Sequence, residues 1–214
     1  MSGIADLIDI SMSVRAGTPE WPGDTPYSCQ WTWRRADGQS VNVSAITTSP
    51  HVGTHADAPL HVRDDWRGAH ELPLECFVGR ARVVSVPDDA GEVEFGQLAG
   101  VGDAGVARLL LRTGCTVANG TFPERWPVLS AACVQQLLAR GLMLLGVDAP
   151  SVDDRQSTTL PVHHALFSGG AFVLENLELR HVPDGEYELF AFPLKLEGLD
   201  AAPVRAVLRP LSSA

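Results

Sequence analysis

The sequence predicts one mixed α/β domain with more strand than helix, and three observations support this fold class. Residues 106–112 and 142–147 are nearly continuous apolar runs of strand length, as expected for strands that are covered on both faces. Residues 130–140 lie between them and follow helical spacing, so the three segments predict a βαβ unit with parallel pairing. Residues 41–47 alternate apolar and polar side chains, which is typical of a half-buried strand.

The first half of the chain is predicted to contain strands and one ordered loop. Residues 4–12 alternate loosely and predict a first strand. Residues 18–26 contain three prolines and a glycine, which predict an irregular loop. Residues 80–86 predict a strand that Pro87 ends, and residues 88–103 are acidic and glycine-containing, with room for one short helix.

The second half contains the clearest helix, which Ser130 opens as an N-cap and Gly141 ends. The predicted apolar face of this helix consists of Ala131, Val134, Leu137 and Leu138. A short helical turn is expected over residues 163–167. The final strands are predicted at residues 171–174, 187–193 and 203–208.

Composition argues against several classes of partner. The chain has 214 residues, 45% of them hydrophobic and 20% charged, which suits one globular domain with a sizeable core. Its net charge of −10 and the lack of basic runs argue against nucleic acid and against an anionic membrane surface. Because the N-terminus does not have the pattern of a signal peptide, and no apolar run reaches 18 residues, we expect a cytoplasmic protein.

The strongest functional signal is a stretch of eleven residues with three imidazoles and one carboxylate, His51, His55, Asp57 and His61. Helical spacing would not place all four on one face, whereas an extended chain would. A straight strand would spread them over roughly 33 Å, which is too far for one ion. Gly53 and Pro59 permit a bend. We therefore expect a strand that breaks into a loop and folds His51, His55 and Asp57 around a metal, with His61 just beyond.

These ligand types indicate a particular kind of metal site. Imidazole and carboxylate together suit Zn²⁺, Mn²⁺ or Fe²⁺, and the lack of a thiol argues against a structural zinc knuckle. Three protein ligands leave one coordination position open for water, as in catalytic sites. The alternative is that these side chains are ordinary polar residues of a turn.

A second patch contains His163, His164 and Glu175. Glu175 ends the apolar run at residues 171–174, and a buried carboxylate is costly unless it is paired. Its partner could be a metal or an arginine, and residue chemistry alone leaves both possibilities open.

Two weaker candidates each have two interpretations. Trp21 could form an aromatic wall for a flat substrate or could simply pack within its loop. Asp148 follows a buried strand, where α/β folds commonly place site residues, or it could cap a turn.

The motif His51-x-Gly53-Thr54-His55-x-Asp57-x-Pro59-x-His61 resembles the signature of the metal-dependent cyclase/hydrolase superfamily. Further segments are similar to its bacterial kynurenine formamidase (arylformamidase) branch, namely residues 21–26, 146–153, 192–195 and 203–206. The resemblance covers nearly the whole chain and is weakest over residues 114–129.

The resemblance implies a compact β/β/α domain of the swivelling type, usually a homodimer, with two divalent metal ions per subunit. Zn²⁺ is the favoured ion and Mn²⁺ the alternative. His51, His55 and Asp57 would bind one ion. Asp57 would bridge to a second ion, which His163 and Glu175 would complete.

The same resemblance implies an activity on an aromatic formamide, the hydrolysis of N-formyl-L-kynurenine to L-kynurenine and formate in tryptophan degradation. His61 would be the proton donor and acceptor, and Trp21 would contact the substrate ring. Two alternatives remain. One is a sister hydrolase that opens a cyclic amide such as isatin with the same ligands. The other is a metal-binding module without turnover, which has no need of His61.

Overall fold

The computed structural model describes residues 7–87, 89–102 and 105–211. These residues form thirteen strands, two α-helices and several short 3-10 turns, so the predicted mixed α/β class with more strand than helix is confirmed. The strands are β1 (Ile8–Asp9), β2 (Ser28–Trp33), β3 (Val43–Thr47), β4 (His55–Asp57), β5 (Val78–Ser85), β6 (Glu92–Val93), β7 (Arg108–Arg112), β8 (Val128–Leu129), β9 (Leu144–Val147), β10 (Phe172–Glu175), β11 (Gly185–Phe190), β12 (Ala201–Pro203) and β13 (Val207–Pro210). The helices are α1 (Ala131–Ala139) and α2 (Pro161–Ser168).

Nine of these strands form one mixed sheet in the order β1-β13-β11-β5-β7-β9-β10-β4-β12. The central strands β5, β7, β9 and β10 are parallel, and the strands on both flanks are antiparallel. Since α1 connects the parallel neighbours β7 and β9, the predicted βαβ unit is confirmed. The apolar runs of β7 and β9 are buried, as their composition predicted.

Helix α1 begins where the sequence predicts. The Ser130 hydroxyl accepts a hydrogen bond from the backbone N–H of Cys133 at 3.0 Å. Gly141, just past the helix, has a left-handed φ of 86°. The predicted apolar face is corrected in one respect, because Ala131 is exposed and Cys133 is buried in its place.

Two predicted strands differ in the structure. The single strand expected at residues 203–208 is divided, because β12 pairs with β4 while β13 pairs with β11 and β1. Pro203 has no N–H to donate, which favours a break in the ladder at that residue. Of the expected strand at residues 4–12, only Ile8–Asp9 is a strand and Ser11 forms an isolated bridge; residues 4–6 lie outside the described residues.

The acidic segment at residues 88–103 contains no α-helix among its described residues, because β6 pairs with β8 and a 3-10 turn follows at Phe95–Gln97. The backbone N–H of Glu94 donates to Oε1 of Gln97 at 2.7 Å, and this local bond stabilises the short turn. Residues 88 and 103 lie outside the described residues. In the part of the chain that the structure describes, no helix is long and apolar enough to cross a bilayer.

The strands β2 and β3 form a separate two-stranded sheet, and every residue in them is exposed. The base of this hairpin is held by a hydrogen bond from the backbone N–H of Ser49 to the carbonyl of Thr25, at 3.1 Å. The proline-rich loop at residues 18–26 therefore leads into the hairpin, and the His51 segment follows it.

Candidate metal centre

The segment from His51 to His61 bends at Gly53 but is not a loop throughout. Gly53 has a left-handed φ of 77°, and a Cβ at this position would overlap the Val14 side chain. The following residues His55–Asp57 form β4, which is hydrogen-bonded to β10 on one side and β12 on the other. The expected loop is therefore corrected, since His55 and Asp57 share one face of a buried strand.

Asp57 lies at the centre of the cluster. Its Oδ1 is 3.1 Å from Nδ1 of His51 and 3.3 Å from Nε2 of His55. Its Oδ2 is 3.1 Å from Nε2 of His163. The two oxygens of one carboxylate therefore face histidines from different parts of the chain.

Glu175 joins the cluster because β10 and β4 pair in a register that places it directly opposite His55. Its Oε2 is 3.4 Å from Nε2 of His55, and its Oε1 is 3.3 Å from Nε2 of His163. Among the described residues the ion-pair partners of Glu175 are these imidazoles, and no arginine pairs with it. The backbone N–H of Val152 also donates to Oε1, at 2.9 Å.

His163, and not His164, points into the cluster. His163 lies on α2 and is 1% exposed, whereas the ring of His164 packs near Trp66, with centroids 6.1 Å apart. Asp153 accepts hydrogen bonds from the backbone N–H groups of Val162 and His163, at 2.9 and 3.0 Å. It also lies 2.7 Å from Nδ1 of His163. Asp153 thus caps the helix and orients the imidazole. In the sequence it is only a carboxylate upstream of a helix, and nothing there indicates its contact with His163.

Asp200 is a second residue that sequence patterns do not identify. Its Oδ2 lies 2.9 Å from Nε2 of His51 and 3.1 Å from Nδ1 of His61. Asp200 immediately precedes β12 and is far from both histidines in the chain. No local spacing could indicate this contact.

Within the cluster, His51, His55 and Asp57 each favour the charged form. Burial lowers the pKa of His51, but the hydrogen bond with Asp200 and the nearby Asp57 carboxylate outweigh burial and raise it to about 10. Burial also lowers the pKa of His55, and the charge of Asp57 raises it to about 9. Burial raises the pKa of Asp57, yet the surrounding imidazoles hold it well below its usual range.

These residues fit divalent metal ions. Nε2 of His55 and Oδ1 of Asp57 are buried and have no hydrogen-bond partner in the described chain. Ligand atoms lie close enough together for an ion in two groups, His51 with Asp57 and His61, and His55 with Asp57 and Glu175. A set of imidazoles and carboxylates suits Zn²⁺ or Mn²⁺, and such an ion can replace the imidazole protons.

A cavity of about 340 Å³ opens onto this cluster. Its walls include Trp21, His51, His61, Phe122, His163 and Glu175. The ring of Trp21 packs edge-to-face against Phe122 and Trp126, at centroid distances of 5.3 and 6.1 Å, and is 38% exposed. Trp21 therefore both packs within its surroundings and forms an aromatic wall of the cavity.

Of the two interpretations of Asp148, a site residue or a cap of a turn, the structure supports the cap. Its carboxylate accepts hydrogen bonds from the backbone and hydroxyl of Thr113, at 2.8 and 2.6 Å, and from the N–H of Gly114 at 3.0 Å. It thus holds the turn after β7. Residues Val117 and Phe122 farther along this segment line the cavity.

Solved structures of two proteins superimpose on this chain over nearly its whole length. A protein described as a potential metal-dependent hydrolase with cyclase activity superimposes with a TM-score of 0.80 at 26% identity, covering 97% of this chain and 99% of that one. An isatin hydrolase from Labrenzia aggregata superimposes with a TM-score of 0.82 at 23% identity, covering 97% and 96%, which shows a shared fold.

Sequence comparison shows the family. Residues 8–154 match the cyclase family. A kynurenine formamidase of Salinibacter ruber is 46% identical over 207 residues, which cover 95% of this chain and 97% of that relative. A kynurenine formamidase of Bacillus cereus is 42% identical, with coverage of 97% and 99%. The resemblance drawn from the sequence motifs is therefore confirmed, and the chain belongs to the kynurenine formamidase (arylformamidase) branch of the cyclase family.

Proposed function

We propose that this protein hydrolyses the formamide bond of N-formyl-L-kynurenine, releasing L-kynurenine and formate. The observation that carries the proposal is one cavity with two kinds of wall. Histidines and carboxylates line it together with the aromatic side chains of Trp21 and Phe122, a combination that suits an aromatic substrate with a polar group. Relatives that are 42–46% identical carry the name of this activity.

Two divalent ions are the cofactors in this proposal, with Zn²⁺ favoured and Mn²⁺ as the alternative. His51, His55 and Asp57 would hold one, and Asp57, His163 and Glu175 the other. The separate directions of the two Asp57 oxygens support a bridging role. When bound, such ions lower the pKa of a water molecule and polarise the formyl oxygen.

The remaining chemistry belongs to the protein's own side chains. His61 lines the cavity, and its Nδ1 lies within hydrogen-bond distance of the Asp200 carboxylate. Its Nε2 is therefore available for proton transfer. It would accept a proton from the attacking water and return it to the aniline nitrogen as the C–N bond breaks. Trp21 would stack against the ring and hold the formamide over the cluster.

An isatin hydrolase-like activity is the alternative, since the same ligands would serve it. The two activities are separated by assaying purified, zinc-loaded protein on both substrates by absorbance. We expect turnover of N-formyl-L-kynurenine with a kcat/KM at least tenfold above that for isatin. The reverse preference would replace the proposal with the cyclic amide, and turnover of neither would favour a metal-binding module.

We further predict that residues 1–214 form one domain, that the protein is a homodimer and that it is located in the cytoplasm.

A further inference from the structure

Asp200 connects the two histidines that have separate roles in the proposed site. One oxygen, Oδ2, lies within hydrogen-bond distance of Nε2 of His51 and of Nδ1 of His61. The rings of these histidines are close, with centroids 4.6 Å apart. A single carboxylate thus contacts a proposed metal ligand and the proposed proton-transfer residue together.

The backbone around Asp200 is fixed against the strand that carries the cluster. The carbonyl of Asp200 accepts a hydrogen bond from the N–H of Ala58 at 2.8 Å. The next residue, Ala201, pairs directly with Asp57 in the β12–β4 ladder. The preceding carbonyl, of Leu199, accepts from the N–H of Ala69 at 2.9 Å. Although 41% of its side chain is exposed, Asp200 is therefore not on a freely moving surface loop.

The chemistry of a carboxylate decides which ring nitrogens carry hydrogen. An ionised carboxylate only accepts hydrogen bonds, so each nitrogen that faces it must be protonated. His51 then carries hydrogen on Nε2. Its Nδ1 faces the Asp57 carboxylate, where a bound ion would replace the hydrogen and leave Nδ1 as the ligand atom. His61 carries hydrogen on Nδ1, which leaves the lone pair of Nε2 for a proton from water.

We propose that Asp200 is a positioning residue that fixes the tautomer and ring orientation of His51 and His61 at the same time. The His51 half of this inference rests on the proposed metal site, and the His61 half rests on the proposed proton transfer. Carboxylates that hold metal-binding histidines typically affect metal affinity or activity by about 10–100-fold. An isolated exposed ion pair would have a much smaller effect.

The test is a double-mutant cycle with Asp200→Ala, His61→Ala and the double variant. Zinc affinity is measured by competition with a chelator without substrate, and kcat is measured at saturating zinc. We expect Asp200→Ala to weaken zinc affinity about 10–100-fold whether or not His61 is present, because that effect acts through His51. We expect kcat to fall about 10–100-fold only when His61 is present.

Two control variants test whether the effect depends on the charge of Asp200 and whether it is specific to this position. Asp200→Asn keeps the accepting oxygen without its charge, so its losses should be smaller than those of the alanine variant. Asp65→Ala removes another exposed carboxylate, one that pairs with Arg63, and should change neither readout. Thermal unfolding of each metal-free variant shows whether it folds.

A tautomer measurement separates this inference from the choice of substrate. In ¹⁵N NMR spectra of the zinc-loaded protein, we expect His61 as the Nδ1–H tautomer, and a mixture of tautomers in Asp200→Ala. If wild-type protein does not turn over N-formyl-L-kynurenine, the proposed function fails while affinity and NMR still test Asp200. The inference is overturned if Asp200→Ala stays within twofold of wild type in zinc affinity, or if His61 keeps its tautomer.

Discussion

At the scale of single residues, Asp57 organises the candidate site. Its Oδ1 faces His51 and His55, and its Oδ2 faces His163 from a helix 106 residues away. Because the carboxylate is fully buried, its charge requires compensation by these imidazoles or by metal ions. Its removal would leave several buried imidazoles without their shared partner.

Replacement of His61 tests whether this histidine transfers protons or binds metal. We expect His61→Ala to lower kcat about 10²–10⁴-fold while leaving two zinc ions bound, because His61 is proposed to move protons and not to hold metal. Elemental analysis and steady-state kinetics on the same sample check this. His164→Ala is the matched control and should retain activity, since its ring lies against Trp66. Loss of an ion from His61→Ala would instead make His61 a ligand, as its proximity to His51 and Asp57 allows.

Most residues of the candidate site can be predicted from the sequence because their signal is local. His51, His55, Asp57 and His61 lie within eleven residues, and their ligand chemistry is evident from residue type. The sequence does not indicate the roles of Asp153 and Asp200, since each acts through a contact that exists only after folding. Asp200, for example, lies 149 residues from His51 in the chain.

At the scale of elements, the three-residue strand β4 carries two of the proposed ligands. It is held on both sides, by β10 and by β12, so a short segment gains the rigidity of the sheet. The Thr54 hydroxyl adds a tie at its start, donating to the carbonyl of Asn176 at 2.6 Å and accepting from the N–H of Met12 at 2.9 Å. Precise placement of His55 and Asp57 follows from this pairing.

The bend before β4 depends on Gly53. We expect Gly53→Ala to lower the free energy of unfolding by more than the roughly 1–2 kcal/mol typical of a left-handed alanine, because its Cβ would also overlap Val14. Gly38→Ala is the control, since Gly38 has a similar φ of 85° and no neighbouring atom within 4 Å. Urea unfolding measures both. Equal losses would show that Val14 moves aside without cost.

The elements that could be predicted are those with a local pattern. Apolar runs and the Ser130 cap predicted β7, α1 and β9 within a few residues. The short strands β6 and β12 could not be predicted in the same way, because two or three residues carry no periodicity. Their existence depends on distant partners, β8 and β4.

At the scale of the whole molecule, the two strands of the β2–β3 hairpin expose apolar side chains and carry no charged residue, although the chain has a net charge of −10. The turn between them is charged, and the guanidinium of Arg34 lies over the Trp31 ring at 5.7 Å from its centroid. Trp31, Trp33 and Ile46 are 51%, 52% and 64% exposed. Exposed apolar patches commonly mark protein interfaces, and strands without carboxylates let two acidic copies approach each other. The expected homodimer would therefore use this hairpin.

Replacing Trp31 and Ile46 together by serine tests that interface. We expect a dimer for the wild type and a monomer for the double variant, as measured by light scattering after gel filtration. Leu74→Ser, which changes an exposed apolar residue outside the hairpin, should remain dimeric. A double variant with the dimer mass would place the interface elsewhere.

Metal binding should also stabilise the whole fold. A ligand that binds only native protein adds about 2.7 kcal/mol at a hundredfold excess over its Kd. We therefore expect chelation to lower Tm and added zinc to restore it. Asp57→Ala should show no such response, and a Tm insensitive to chelator would argue against a tightly held ion.

The number of bound ions tests the paired-metal site most directly. Elemental analysis of zinc-saturated, desalted protein should give two ions per chain for the wild type and for Asp65→Ala. Asp57→Ala should give none, because both ions depend on its carboxylate. Two ions retained by Asp57→Ala, or fewer than two in the wild type, would contradict the account.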